Sequence, residues 1–276
     1  MIGIGVQRSR VVAEWAQALR WQLWYLRCWW RSTSSRVSAR CGFATDSVRW
    51  PLRRWALLIG VVATLVGVAI TTNVRGPASD PAMRPAVEAA RQALSQIVAI
   101  ASRPSRKDYQ RTAFGPAWSD AAPVTGGGNG CDTRNDILRR DLAEITTGPS
   151  AGCRDAVLSG KFRSPYTGEV ETFRRGRGAS AVQIDHIVAL AYAWDMGAWS
   201  WTPTRRLQLA NDPANLVAVD AHSNQAKSDG EPAAWMPELR GFRCCYAIQF
   251  TLVTAAYQLK LDEASRRTIT AALDQC

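Results

Sequence analysis

The chain has 276 residues, a length that fits one or two folded domains. Of these residues 47% are hydrophobic, and the formal net charge is +11. The charge would suggest a nucleic-acid or membrane partner, but residues 1–54 alone carry a net +8, from ten arginines, no lysine and two acidic residues. The remainder carries only +3, so the total charge does not by itself indicate a DNA-binding face.

The basic tail, residues 1–54, is rich in tryptophan as well as arginine. One interpretation is an amphipathic helix lying on a membrane surface at about residues 11–31. The other is a disordered cytoplasmic tail, or an over-extended gene start that is not translated.

Residues 55–72 form an uncharged apolar run of about the length that spans a bilayer. Arg49, Arg53 and Arg54 precede it directly, which predicts a cytoplasmic N-terminus and an external position for the chain after residue 73. We expect a retained signal anchor, which makes this a single-pass protein of the cell membrane. The alternatives are a cleaved signal peptide, which implies secretion, and a buried core helix.

Residues 73–103 are predicted to be a linker and a helix. The linker is the Pro-rich stretch 77–85, and apolar spacing predicts the helix at 87–100. One globular domain then occupies residues 104–276. Its glycine-rich run at 126–130 is a predicted loop, and the absence of a following Gly-Lys-Ser/Thr excludes a P-loop.

The apolar run at residues 55–72 separates the seven cysteines into two groups. Cys28 and Cys41 come before it, on the predicted reducing side, and we expect them to be free. Five come after it, where an oxidising compartment favours disulfides.

Two disulfides are predicted among those five. Cys131 and Cys153 flank one helix-like stretch, and a bond from Cys244 to Cys276 would pin the C-terminal segment. Cys245 is left over, either buried and free or as the true partner of Cys276. A zinc site is disfavoured because the spacings lack paired CxxC motifs.

The chemistry is expected around Asp185 and His186, near the end of a predicted strand at 181–190. A buried Asp–His pair is costly unless it is ion-paired, hydrogen-bonded or bound to metal. Histidine is the usual general base near neutral pH. The chain has one other histidine, His222.

A predicted strand–loop–strand–helix unit follows from this pair. A short helix is expected at 191–198, a second strand at 216–219, and a helix at 221–228 with Asp220 as its N-cap. Asn224 and Lys227 are three residues apart and share a helix face, whereas His222 does not share it. We therefore expect Asn224 at the site and His222 at the surface.

The order Asp185-His186, Asn215, Asn224-x-x-Lys227 resembles the HNH endonucleases, which have a ββα-metal fold. The resemblance extends over about residues 105–276 to secreted actinobacterial HNH proteins related to the C-terminal domain of GmrSD-type restriction enzymes. Its further motifs are Gly130-Cys131-Asp132-Thr133-Arg134-Asn135-Asp136-Ile137-Leu138, Pro165-Tyr166-Thr167-Gly168, Ile187-Val188-Ala189-Leu190, Asn211-Asp212-Pro213-Ala214 with Leu216, and the tail from Arg243-Cys244 to Cys276. The chain departs from the pattern at Cys245, at Ser228, where glycine is common, and at residues 1–48.

The resemblance implies an α+β fold: a ββα-metal (HNH) core with added helices, preceded here by one N-terminal transmembrane helix. His186 would be the general base, and Asn215 would hold its imidazole through a side-chain or backbone carbonyl. Lys227 would contact phosphate or support Asp185.

The metal ligands implied are Asp185 and Asn224, whose hard oxygens suit Mg²⁺, with Mn²⁺ or Ca²⁺ as alternatives. Arg134 and Asn135 lie in a family motif and are expected near the substrate.

The function predicted is a metal-dependent HNH endonuclease, exported or membrane-anchored, that hydrolyses DNA, with RNA as a second substrate. Low sequence specificity is expected because no separate base-reading module is visible. The alternative is a catalytically silent nucleic-acid-binding or cell-envelope protein on the same fold. A hydrolase of an envelope substrate is disfavoured, since neither a carboxylate pair nor a nucleophile lies beside His186.

Overall fold

The computed structural model describes residues 82–176 and 179–276. The predicted tail at 1–54 and the predicted membrane segment at 55–72 lie outside these ranges. Among the helices that are described, none has the length and apolarity needed to cross a bilayer.

The described chain mixes helices and strands, as the α+β prediction requires. The helices are α1 (Arg84–Gln96), α2 (Thr133–Asp141), α3 (Leu190–Asp195), α4 (Pro203–Asn211), α5 (Ala221–Lys227), α6 (Arg240–Ala256) and α7 (Glu263–Asp274). The strands are β1 (Ala99–Ile100), β2 (Ala143–Ser150), β3 (Cys153–Arg163), β4 (Val170–Arg174), β5 (Val182–His186), β6 (Leu216–Asp220) and β7 (Leu261–Asp262). They form an antiparallel sheet β2-β3-β4, an antiparallel pair β5-β6 and a parallel pair β1-β7.

Helix α1 is part of the main core, although the sequence predicted it only as a leading element. Its apolar residues Val87, Ala90 and Leu94 are buried and pack with α6 and α7. The helix ends at Gln96, earlier than predicted, because the following residues extend to pair with β7 through Ala99 and Leu261.

Both predicted disulfides are present in the structure. Cys131–Cys153 ties the start of α2 to the first residue of β3, and Cys244–Cys276 ties α6 to the end of the chain. The alternative pairing of Cys276 with Cys245 is therefore wrong. Cys245 is buried in the core on α6, at 2% exposure.

The strand–loop–strand–helix unit is present, with its first strand ending at His186 rather than at residue 190 and with its second strand and its last helix within one residue of their predicted bounds. In the β5-β6 pair Asp185 lies opposite Val217 and His186 opposite Leu216. Strand β6 runs directly into α5, whose N-cap Asp220 accepts a hydrogen bond from the Ser223 amide at 2.7 Å. This arrangement brings the polar end of β5 against the last turn of α5, where Lys227 contacts Asp185.

Candidate active site

His186 is the last residue of β5 and is 7% exposed. Its Nε2 lies 2.9 Å from the carbonyl oxygen of Ala210. Because a carbonyl only accepts, Nε2 donates and Nδ1 keeps the lone pair. Burial lowers the pKa of His186 to about 3, so the imidazole is neutral at physiological pH. Trp118 stacks on the ring, with centroids 5.8 Å apart.

Asn215 positions His186 by a different route from the one predicted, because the carbonyl that meets the imidazole belongs to Ala210. The Asn215 Oδ1 accepts from the Val188 amide at 2.8 Å, and its Nδ2 donates to the carbonyls of Val188 and Leu209, each at 3.2 Å. The side chain thus joins the backbone that follows His186 to the backbone that carries Ala210.

Asp185, 5% exposed, is held by two buried partners. The Lys227 ammonium donates to Oδ1 at 2.9 Å, and the Tyr166 hydroxyl donates to Oδ2 at 2.5 Å. Burial raises the pKa of Asp185 above its usual value, and both partners oppose that rise. The carboxylate is therefore fixed in orientation by the protein itself.

Lys227 supports Asp185, the second of its two predicted roles. Its side chain is wholly buried, and Nζ also donates to the His186 carbonyl at 2.8 Å. A phosphate in solvent cannot reach an ammonium enclosed in this way. His222, two residues before Asn224, is exposed on the other side of α5.

A cleft of about 680 Å³ opens beside this cluster. Its walls include Asp185, His186, Asn224, Tyr109, Arg111, Ile184, Ala189, Leu190, Ala191, Gln225, Ser228 and Asp229. The Asn224 Nδ2 donates to Oε1 of Gln183 at 2.6 Å, so its amide oxygen is the atom that it can offer to a cation. Four of the five predicted site residues on the ββα unit thus meet at or directly behind the cleft, and Asn215 braces the backbone behind them.

Arg134 and Asn135 are not among the residues that line the cleft, and their expected position near the substrate stays a prediction. A guanidinium nitrogen of Arg134 donates to the carbonyls of Ala179 and Val182, at the opposite end of β5 from His186. Asn135 is 2% exposed and accepts from the Val157 amide at 2.7 Å. Both therefore brace α2 against neighbouring strands.

Three residues of the site had no assigned role in the sequence. Tyr166 lies in the Pro165-Tyr166-Thr167-Gly168 motif, which was a signal, although nothing local connects it to Asp185. Tyr109 and Arg111 come from the segment before α2, where no motif marked them.

Few protein atoms at the cleft could act as ligands of a cation. Within residues 82–176 and 179–276 no cluster of three or more His, Cys, Asp or Glu residues could enclose a metal. Asp185 and Asn224 both border the cleft and offer oxygen. Carboxylate and amide oxygens are ligands that Mg²⁺ accepts, although both Asp185 oxygens already bond to Tyr166 and Lys227.

Comparison with known proteins identifies relatives of this domain. Residues 132–271 match the family model of the C-terminal domain of GmrSD restriction endonucleases. An uncharacterized secreted protein from Arthroderma benhamiae is 35% identical over 216 residues, covering 77% of this chain and 98% of that protein. No solved structure matches the chain.

Proposed function

Because the chain belongs to the family of GmrSD restriction endonuclease C-terminal domains, we propose that it is an HNH endonuclease that hydrolyses phosphodiester bonds in DNA. The observation that carries the proposal is a neutral, backbone-anchored imidazole beside a carboxylate at one end of an antiparallel strand pair, with a helix packed against that end. This order of elements and side chains supports the proposal of a ββα-metal core.

His186 acts as the general base in this proposal. The Ala210 carbonyl holds Nε2 as the protonated nitrogen, which leaves Nδ1 to accept a proton from the attacking water. Burial keeps the ring in its neutral, proton-accepting form. Asn215 is a positioning residue, since it fixes the two backbone segments that set the ring's place.

Asp185 and Asn224 would hold a divalent ion, Mg²⁺ in the first place and Mn²⁺ or Ca²⁺ as alternatives. When bound, the ion would stabilise negative charge on the phosphate and on the leaving oxygen. Lys227 and Tyr166 orient the carboxylate from behind. Because the Lys227 ammonium already compensates the charge of Asp185, we expect the ion to bind weakly without substrate.

The substrate proposed is DNA, with RNA second, cleaved with low sequence specificity. A base-reading module such as a zinc finger needs a Cys/His cluster, and the described ranges contain no metal-binding cluster of that kind. Recognition would then rest on the phosphate backbone, which carries no sequence information.

Export is supported by two observations. Both disulfides favour an oxidising compartment, and the fungal relative is named as a secreted protein. Secretion after cleavage and a retained membrane anchor at residues 55–72 are both compatible with an external nuclease domain.

The test is cleavage of supercoiled plasmid by the oxidised full chain with Mg²⁺. We expect nicking that EDTA abolishes and that falls at least a hundredfold in His186→Ala, as general-base removal typically produces. His222→Ala is the matched control, because it removes an exposed histidine away from the cleft, and it should cleave at the full rate. Full activity in His186→Ala would refute the assignment of the base.

A silent DNA-binding protein on the same fold is the second candidate. The observation in its favour is that both Asp185 oxygens already have protein partners, one of them a cation. That protein would bind DNA with a salt-dependent affinity and release no product with Mg²⁺, Mn²⁺ or Ca²⁺.

A further inference from the structure

The ββα unit leaves its own cleft without an accessible cation. Lys227 is enclosed behind Asp185, with its ammonium bonded to that carboxylate and to the His186 carbonyl. A phosphodiester in the cleft would therefore meet a carboxylate, an amide and a neutral imidazole. A positive side chain at the cleft would add to the stabilisation of phosphate charge that a metal ion supplies.

Arg111 is a cation that borders the same cleft. It begins a short 3-10 turn, Arg111–Phe114, and its side chain is exposed to solvent. Although it is 75 residues from His186 in sequence, its charge is close enough to lower the pKa of that imidazole further, after burial. The guanidinium and the proposed base thus face one space.

The backbone that carries Arg111 is anchored on both sides. Tyr109 packs its ring edge-on against Trp194, with centroids 6.2 Å apart, and Phe114 is 1% exposed in the core. Burial raises the pKa of the Tyr109 hydroxyl, and the adjacent Arg111 opposes that rise. Arg111 is therefore placed at the cleft by rigid neighbours.

The charge of Arg111 is available to a ligand. In the part of the chain that the structure describes, no carboxylate lies within salt-bridge distance of it, whereas Arg103 pairs with Asp195, Asp229 and Glu231, and Arg106 with Asp108. The Asp229 carboxylate, which also borders the cleft, is bonded to Arg103. The two nearest arginines of this segment are thus neutralised, and Arg111 is not.

We propose that Arg111 is the phosphate-binding residue of the cleft, where its guanidinium binds the substrate phosphodiester that His186 and its water attack. This assignment rests on the proposed nuclease function and adds a residue to it from outside the ββα unit. A guanidinium suits the position because its planar fork donates two parallel hydrogen bonds to phosphate oxygens.

Binding is measured separately from cleavage to test the proposal. The full chain carrying His186→Ala is titrated in EDTA with a fluorescein-labelled 20-base-pair DNA duplex over a range of KCl concentrations. Adding Arg111→Ala should weaken binding about tenfold at low salt and reduce the slope of log K against log salt by about 0.9, the loss of one phosphate contact. In the chain with His186 intact, Arg111→Ala should also lower kcat for plasmid cleavage.

Lys107→Ala is the matched control, because it removes the same charge four residues away, outside the residues that line the cleft. It should leave the slope and kcat unchanged. Three outcomes would each overturn the assignment: equal effects of the two substitutions, an unchanged salt slope in Arg111→Ala, or no binding of the duplex. The proposed nuclease function can fail separately, if the protein cleaves no DNA with any metal. If the slope of log K against log salt is then still reduced only by Arg111→Ala, the result would support the phosphate site and refute the nuclease function.

Discussion

The Nζ of Lys227 and the Oδ1 of Asp185 lie 2.9 Å apart, with side-chain exposures of 0% and 6%. Water cannot screen this ion pair, and each charge depends on the other for compensation. Transferring two charges out of water costs several kcal/mol per ion, so the pair adds little net stability while either partner alone is strongly unfavourable. Its position beneath the cleft indicates that it is kept to orient the carboxylate.

Lys227→Met should therefore destabilise the protein by about 3–5 kcal/mol, because it leaves Asp185 buried beside an apolar side chain. The free energy of unfolding in urea measures this loss. The double variant Asp185→Asn/Lys227→Met should recover most of it, since no uncompensated charge remains. If the double variant loses as much unfolding free energy as Asp185→Asn and Lys227→Met lose together, the two charges are not coupled.

Tyr166→Phe removes the hydroxyl that donates to Asp185 at 2.5 Å and leaves the buried ring in place. Loss of a hydrogen bond to a charged group should cost about 2 kcal/mol of unfolding free energy. The pKa of Asp185 should rise further, so half-maximal cleavage should need more Mg²⁺. Tyr192→Phe, which loses a buried hydroxyl bonded to Asp262, is the control and should alter stability without altering the Mg²⁺ requirement.

Asn215→Ala should lower kcat more than KM, because its hydrogen bonds place the backbone on both sides of the imidazole. It also leaves buried backbone groups unsatisfied, at a cost of about 3 kcal/mol. Nitrogen NMR separates position from stability, since the chain has two histidines and exposed His222 serves as an internal reference. We expect His186 to lose its fixed Nε2–H tautomer. An unchanged His186 signal in a folded, slow variant would contradict the positioning role.

The burial of His186 predicts how stability depends on pH in EDTA. Its folded pKa, about 3, lies below the value of about 6.5 for the unfolded chain. Between those values the unfolded state binds the extra proton, so stability is complete above pH 6.5 and falls as the pH drops toward 3. At pH 4.5 this group should have cost about 2–3 kcal/mol. His186→Gln cannot titrate and should lose correspondingly less between pH 7.5 and 4.5; an identical loss in both proteins would show that His186 is not the cause.

The ββα unit could be predicted from sequence because its signals are local. The apolar run around Asp185 marks β5, although it continues past the strand's end at His186. Asp220 caps α5, and the three-residue spacing of Asn224 and Lys227 places them on one helix face, which His222 does not share. Cysteine positions predict Cys131–Cys153, but they leave Cys244 and Cys245 as alternatives for Cys276, which the structure pairs with Cys244. The resemblance to the GmrSD C-terminal domain is confirmed.

The remaining contacts of the site depend on how distant segments pack. Tyr166 reaches Asp185 from the turn between β3 and β4, and the Ala210 carbonyl reaches His186 from the end of α4. Arg111 enters from a segment without regular periodicity. Carbonyls and loop arginines are present throughout any chain, so nothing in their identity marks the ones that tertiary packing will bring to a cleft.

Helix α1 packs on α6 and α7, so the cooperative folding unit is larger than the region that matches the family model. The matched region begins at residue 132, whereas Val87 and Leu94 complete the main core and Arg111 borders the cleft. A truncation at that boundary would uncover the apolar side of α6 and delete one wall of the cleft. Expression trimmed to the matched region should therefore yield an aggregating, inactive fragment, and an autonomous domain should include α1, which begins at Arg84.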